Sequence, residues 1–188
     1  MKVTINANGK TVQVEMTEEQ LKELGVIKER SRTGYERVKK DETYYAINTE
    51  YNSMSKITEF NDQEDEQCYN AGNYFNDKII AENNARADKL LRCLRQWQAQ
   101  NDKPISMSDW KNDNISKYYV DYDCFHELFF VTYAVRRRSL NNIYFTSDEK
   151  AKEAIEVFRD ELLWYFTEYQ QRLDEEQGEW TNGILQSA

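Results

Sequence analysis

The stretch "GNYFNDKIIAENNARADKLL" (residues 72–91) has an echo further along the chain, "NIYFTSDEKAKEAIEVFRDELL" (residues 142–163). In each, a Tyr-Phe pair ends a short strand-like run: Tyr74-Phe75 and Tyr144-Phe145. Asn76 and Thr146 follow directly and suit a helix N-cap, where a side-chain oxygen accepts from the unpaired N–H groups of the first turn. Thr146 has Glu149 three places on, the spacing of a capping box. Asp77 and Asp148 put negative charge at the positive end of the helix. Ala81 and Ala151, each seven places after the Tyr, let the first turn lie close to a sheet. Apolar residues then recur at helical spacing: Leu90, Leu91, Leu94 and Trp97 in one copy, Ile155, Phe158, Leu162, Phe166 and Tyr169 in the other. Helices are predicted over about 77–100 and 147–172.

Ahead of each helix lie two strand-like runs, 43–51 and 55–60 before the first, 116–123 and 127–135 before the second. Tyr44-Tyr45 matches Tyr118-Tyr119 in this reading. The fold class predicted is α+β: two similar strand–strand–strand–helix units, about 43–100 and 116–172, forming a duplicated body over 43–172. Neither half can bury its sheet alone, so the two are expected to share one core. The connection 101–114 contains the only proline and reads as an ordered loop, with Trp110 as a lid. Residues 2–6 and 11–16 alternate apolar and polar around Asn8-Gly9, the strongest short hairpin signal. Thr17 and Gln20 form a capping-box pair. Residues 1–27 therefore read as a hairpin plus a short helix, 28–42 as a basic linker, and 173–188 as a C-terminal tail.

The chain has 188 residues, 39% hydrophobic and 13% aromatic, which supplies a core despite 31% charged residues. Cys68, Cys93 and Cys124 are odd in number and widely spaced, which fits reduced thiols better than a disulfide framework. The alternating start has no apolar h-region and reads as no signal peptide, and no apolar run is long enough to span a membrane. A cytoplasmic location follows as the expectation. Net charge is −9, unevenly placed: residues 1–41 hold nine Lys/Arg against seven Asp/Glu, and the rest hold 16 against 27. An acidic body repels nucleic acid and attracts basic protein surfaces.

No phosphate loop, dinucleotide fingerprint, zinc-protease or nucleophile-elbow motif occurs. The single histidine, His126, stands two places from Cys124, where both would share one strand face without facing each other. The reading is non-enzymatic, with no metal and no cofactor. Acidic residues are more telling. The run "EFNDQEDEQ" (59–67), read as an acidic loop, gathers Glu59, Asp62, Glu64, Asp65 and Glu66, with Tyr69 beyond it. The last helix and tail add Glu168, Asp174, Glu175 and Glu176. Carboxylates pair with Arg and Lys, while tyrosines give contact area at low entropic cost. Together they predict a surface that competes with phosphates for a basic groove. Residues 28–40 hold six Lys/Arg, namely Lys28, Arg30, Arg32, Arg37, Lys39 and Lys40, against two Glu, and with Arg92, Arg95 and Arg136–Arg138 they form the alternative, a nucleic-acid contact. Arg136–Arg138 are expected to neutralise the acidic loop of the first unit.

Tyr-rich strands, then "GNYF" or "NIYF", a polar cap and alanines on a helix resemble small accessory proteins of bacteriophages and prophages, over about residues 43–166. Some small acidic phage proteins of this general kind inhibit host defence nucleases, anti-CRISPR proteins among them. The resemblance thus implies an inhibitor acting in a bacterial cytoplasm on a nuclease or another basic protein surface. A nucleic-acid-binding accessory protein and a self-associating virion assembly protein are the other readings.

Overall fold

Alternation of apolar and polar residues builds three antiparallel hairpins among the described residues, which are 2–7, 10–17, 20, 33–51 and 53–173 of this computed structural model. The chain divides into two units, 1–32 and 33–188. In the first, β1 (Lys2–Ala7) pairs with β2 (Lys10–Glu15) in the register Val3↔Val14 and Ile5↔Val12, as the alternation predicts. Thr17 and Gln20 exchange both bonds of their capping box, at 3.0 and 3.3 Å. The rest of the short helix expected there lies outside the described residues, as do residues 28–32 of the expected linker and 174–188 of the tail.

The second unit carries β3 (Thr43–Asn48), β4 (Ser53–Thr58), α1 (Gln63–Asn70), α2 (Lys78–Asn101), α3 (Met107–Trp110), β5 (Lys117–Asp123), β6 (Leu128–Ala134) and α4 (Asp148–Thr167). It is α+β, with β3–β4 and β5–β6 as separate hairpins. Each expected third strand is a single bridge: Phe75 pairs with Tyr45 and Phe145 with Tyr118, both antiparallel. These bridges shift the sequence alignment by one residue. Tyr45 plays the part of Tyr118, so Tyr44 corresponds to Lys117, and both are fully buried. Tyr44 stacks on Tyr74 at 4.0 Å, whereas Lys117 donates from Nζ to the Ile115 and Val135 carbonyls, 2.7 Å each, beneath the Trp110 ring. Trp110 packs edge-on against Tyr144, as a lid should.

The helix starts lie one residue later than the sequence suggests. Asp77 and Ser147 are the N-caps, accepting from Ile79 and Ile80 and from Lys150 respectively. Asn76 instead reaches Glu36, and Thr146 reaches Asp102, so both tie the bridge residues to neighbouring segments. Ala81 and Ala151 are completely buried where the first turns meet the hairpins. The helix over the second hairpin stops at Thr167, five residues short of expectation, and is kinked at Phe158. The chain then returns to the first half, where the Tyr35 hydroxyl donates to the Gln171 carbonyl and the Leu173 N–H to the Thr33 carbonyl.

The interior is not one common core. Tyr44, Ala46 and Tyr74 cluster on one face of the first hairpin; Phe75, Ile80 and Ala81 cluster with Tyr45 and Ile47 on the other. A larger cluster joins Leu90, Leu94, Phe145, Ala151, Ala154, Ile155 and Leu162 to the inner face of β5–β6. Helix α2 serves both ends, its first turns under hairpin one and its last turns in the second cluster.

Residues 33–42, expected as linker, belong to this body. Gly34 adopts φ +92, a backbone region that favours glycine, and a Cβ there would meet the Ile80 side chain at 3.0 Å. Its carbonyl accepts from Asn76 N–H. Glu36 locks the turn, accepting from Thr33 N–H at 2.7 Å and from Gly34 N–H and Asn76 Nδ2. Burial pushes the Glu36 carboxyl up, but these bonds outweigh it and hold it at about 2, below the usual 4.5. A depressed carboxylate adds stability that is present above pH 4.5 and is lost as pH falls towards 2. Glu36→Gln is expected to cost about 1–3 kcal/mol at neutral pH and to flatten acid unfolding across that window, as followed by circular dichroism.

Candidate functional site

The expected acidic loop is a helix with an internal anchor. Asp62 caps α1, accepting from Glu64 and Asp65 N–H groups, and Asp65 returns the bond from Asp62 N–H, so both halves of a capping box are present. Asp65 is 2% exposed and faces inward: it also accepts from Phe60 N–H at 2.7 Å and from the Tyr44 hydroxyl at 3.0 Å. Burial raises its pKa, and these hydrogen bonds more than reverse the effect, leaving it below the ordinary aspartate value. Glu59 is 0% exposed. It accepts from the Tyr74 hydroxyl at 2.6 Å, from Arg37 Nη2 at 2.9 Å and from Asn61 N–H at 3.0 Å. Burial, then the Glu59 carboxylate, pushes the Tyr74 phenol above its usual range.

Two of the ten acidic and aromatic residues expected to meet a partner, Glu59 and Asp65, are therefore internal. The reason is local. Each satisfies backbone or phenol donors that the turn at 59–62 and the Tyr44–Tyr74 stack would otherwise bury unpaired. They hold in place the residues that do reach the surface: Phe60, Asp62, Glu64, Glu66 and Tyr69. Phe60 is 57% exposed and Tyr69 42%, beside three surface carboxylates. Glu66 bonds Arg37, whose guanidinium also lies 5.7 Å from the Tyr69 ring. Glu168 is exposed at the end of α4. Asp174, Glu175 and Glu176 fall outside the described residues, so the expected second half of the acidic surface reduces to α4 itself. There Glu156 pairs with Arg159, Glu153 with Lys150 and Glu161 with Arg86.

No protein-family model, curated protein or solved structure matches this chain.

The alternative basic residues divide similarly. Lys28, Arg30 and Arg32 lie outside the described residues. Arg37 is held by Glu59 and Glu66, and Lys39 and Lys40 are exposed. Arg136 does not neutralise the acidic helix of the first half but forks onto Asp113, in the connection before β5. Arg138 lies over Trp110 at 5.1 Å. Arg137 lines a cleft of about 650 Å³ with Tyr119 and Tyr133. Cys124 and His126 are not on a strand but in the exposed β5–β6 turn, where Asp123 accepts from Phe125 N–H, His126 N–H and His126 Nδ1. Among the described residues no group of His, Cys, Asp and Glu is placed to hold a metal ion, and no helix is long and apolar enough to cross a membrane.

Proposed function

We propose that the chain is a non-enzymatic inhibitor of the phage accessory type, docking on a basic, nucleic-acid-handling surface of a bacterial defence nuclease. The observation that carries this reading is the start of α1: two exposed aromatic rings, Phe60 in the turn before the helix and Tyr69 on it, beside the N-cap Asp62 and the helix residues Glu64 and Glu66, with the buried carboxylates Glu59 and Asp65 beneath. A rigid aromatic anchor loses little entropy on binding, and a ring of carboxylates matches an arginine- and lysine-lined groove. The chain's net charge of −9 favours that encounter at long range and weakens it with salt.

The test measures DNA cleavage by a panel of CRISPR effector nucleases with equimolar chain, and association rates at low and high salt. Glu64→Lys with Tyr69→Ala is expected to raise Kd at least tenfold on the responsive nuclease, with about a 1.4 kcal/mol loss per tenfold step, while circular dichroism shows the chain still folded at the assay temperature, despite the loss of the Tyr69–Tyr74 ring contact. If no nuclease is inhibited or captured even at low salt, the reading fails. The nucleic-acid reading has one observation of its own, the cleft where Arg137 meets Tyr119 and Tyr133. A gel shift of bare single strand at physiological salt, abolished by Arg137→Ala, would favour it.

A further inference from the structure

The two hairpins of the body differ at one edge. On the first, Tyr45 exchanges both backbone hydrogen bonds with Phe75, at 2.7 and 2.9 Å. Two residues on, Ile47 is closed by a side chain: its N–H donates to Asn73 Oδ1 at 2.7 Å, and Asn73 Nδ2 donates to the Ile47 carbonyl at 3.0 Å. The carboxamide thus completes the strand edge as a neighbouring peptide group would. On the second hairpin Tyr118 exchanges the same pair of bonds with Phe145. An antiparallel ladder alternates its bonding sides, so Val120 and Tyr122 also turn their N–H and C=O groups away from β6. Tyr122 N–H is met by the Asp121 carboxylate at 2.9 Å. The residue two places before the bridging Phe is here Ile143, a hydrocarbon that can neither donate nor accept. Among the described residues, nothing takes the place of Asn73 at Val120.

That edge opens on a groove of about 420 Å³, with Leu91, Leu94, Leu162, Tyr165 and Phe166 among its walls and Asp121 beside Val120. A backbone donor and acceptor at strand spacing, above an apolar trough, is the arrangement that strand addition uses: main-chain bonds give affinity and alternate side chains give selectivity. We propose that this groove takes an extended segment of a partner protein, added antiparallel to β5 at Val120 and Tyr122, beyond the place where Phe145 already pairs with Tyr118. The segment carries apolar residues at alternate positions, which enter the trough, and Lys or Arg between them, matched to Asp121 and to the acidic body. The edge is separate from α1, so this proposal stands or falls independently of the inhibitor reading.

The probe is a blocked hexapeptide of alternating lysine and valine, titrated into the full-length ¹⁵N-labelled chain. The expected result is saturable shifts at Val120 and Tyr122, with slowed exchange of the Val120 amide, which in the free protein exchanges much faster than that of Ile47. The same peptide N-methylated on alternate residues is expected to bind at least tenfold more weakly, because the main-chain bonds are removed and the side chains kept. Ile143→Asn, which supplies the carboxamide of the first hairpin, is expected to protect the Val120 amide in the free protein and to weaken binding at least tenfold. Equal binding of the N-methylated peptide would show that the groove takes apolar groups without strand pairing and would overturn the proposal. So would the absence of β5 shifts at millimolar peptide. Should Ile143→Asn fail to fold, the two peptides on the natural chain decide.

Discussion

Phe145→Ala is expected to lower the unfolding free energy of the body by about 3–5 kcal/mol, a large part of the whole for a domain of this size. Phe145 is 1% exposed and belongs to the cluster that joins α2, α4 and β5–β6. Its ring lies edge-on to Trp97 at 5.9 Å, and its backbone makes the only pairing of this segment with β5. Truncation removes the ring but leaves the bridge, so the loss is one of packing. Phe145 lines the groove beside Val120, so the space its ring vacates is expected to join that groove and not to collapse. Cavities that cannot collapse sit at the costly end of the range. Urea unfolding followed by tryptophan fluorescence measures the effect, and Phe145→Leu should recover more than half of it.

Glu59→Gln is expected to cost about 2–4 kcal/mol, from the loss of charge-assisted bonds in a site with no water access. The carboxylate accepts from Arg37, the Tyr74 hydroxyl and the Asn61 N–H at once. An amide offers one acceptor oxygen and turns two further donors on groups that are themselves donors. Because Arg37 and Glu59 act as one unit, Arg37→Met with Glu59→Gln should cost less than the two single losses added together. By contrast Glu64→Gln, one turn along on the surface, should stay within about 0.5 kcal/mol. Denaturant midpoints of the natural chain, the two single variants, the double variant and Glu64→Gln check all three statements.

Periodicity and turn chemistry revealed the hairpins and the two long helices of this chain, because each depends on neighbours in sequence. The β1–β2 hairpin and the Thr17–Gln20 box belong to that class. What depended on partners distant in sequence was not legible. Glu59 and Asp65 sit in a run that reads as solvent-facing acid, and the Tyr44–Tyr74 stack and Arg37, distant in sequence, join the local N–H groups in drawing them inward. The same holds for residues 33–42, which look like a basic connector until Gly34 meets Ile80 and Arg37 meets Glu59. α1 could have been found: Asp62 and Asp65 have capping-box spacing, but an aspartate at the second position is a weaker cue than Glu or Gln. The matching of Tyr44-Tyr45 with Tyr118-Tyr119 is one residue out, because it is Tyr45 and Tyr118 that bridge to Phe75 and Phe145, and the two tyrosine pairs look alike in sequence. Of the candidate surface, Asp62, Glu64, Glu66 and Tyr69 were legible as exposed, whereas the inward turn of Glu59 and Asp65 was not.

The long helix Lys78–Asn101 has its opening turns against one hairpin and its closing turns against the other. A twenty-four-residue rod clasped at both ends makes the halves mutual hostages. Neither can melt without stripping an apolar flank from the rod, so heat or denaturant should dissolve them in a single step, and a gene split in the 102–106 turn would yield no self-sufficient piece.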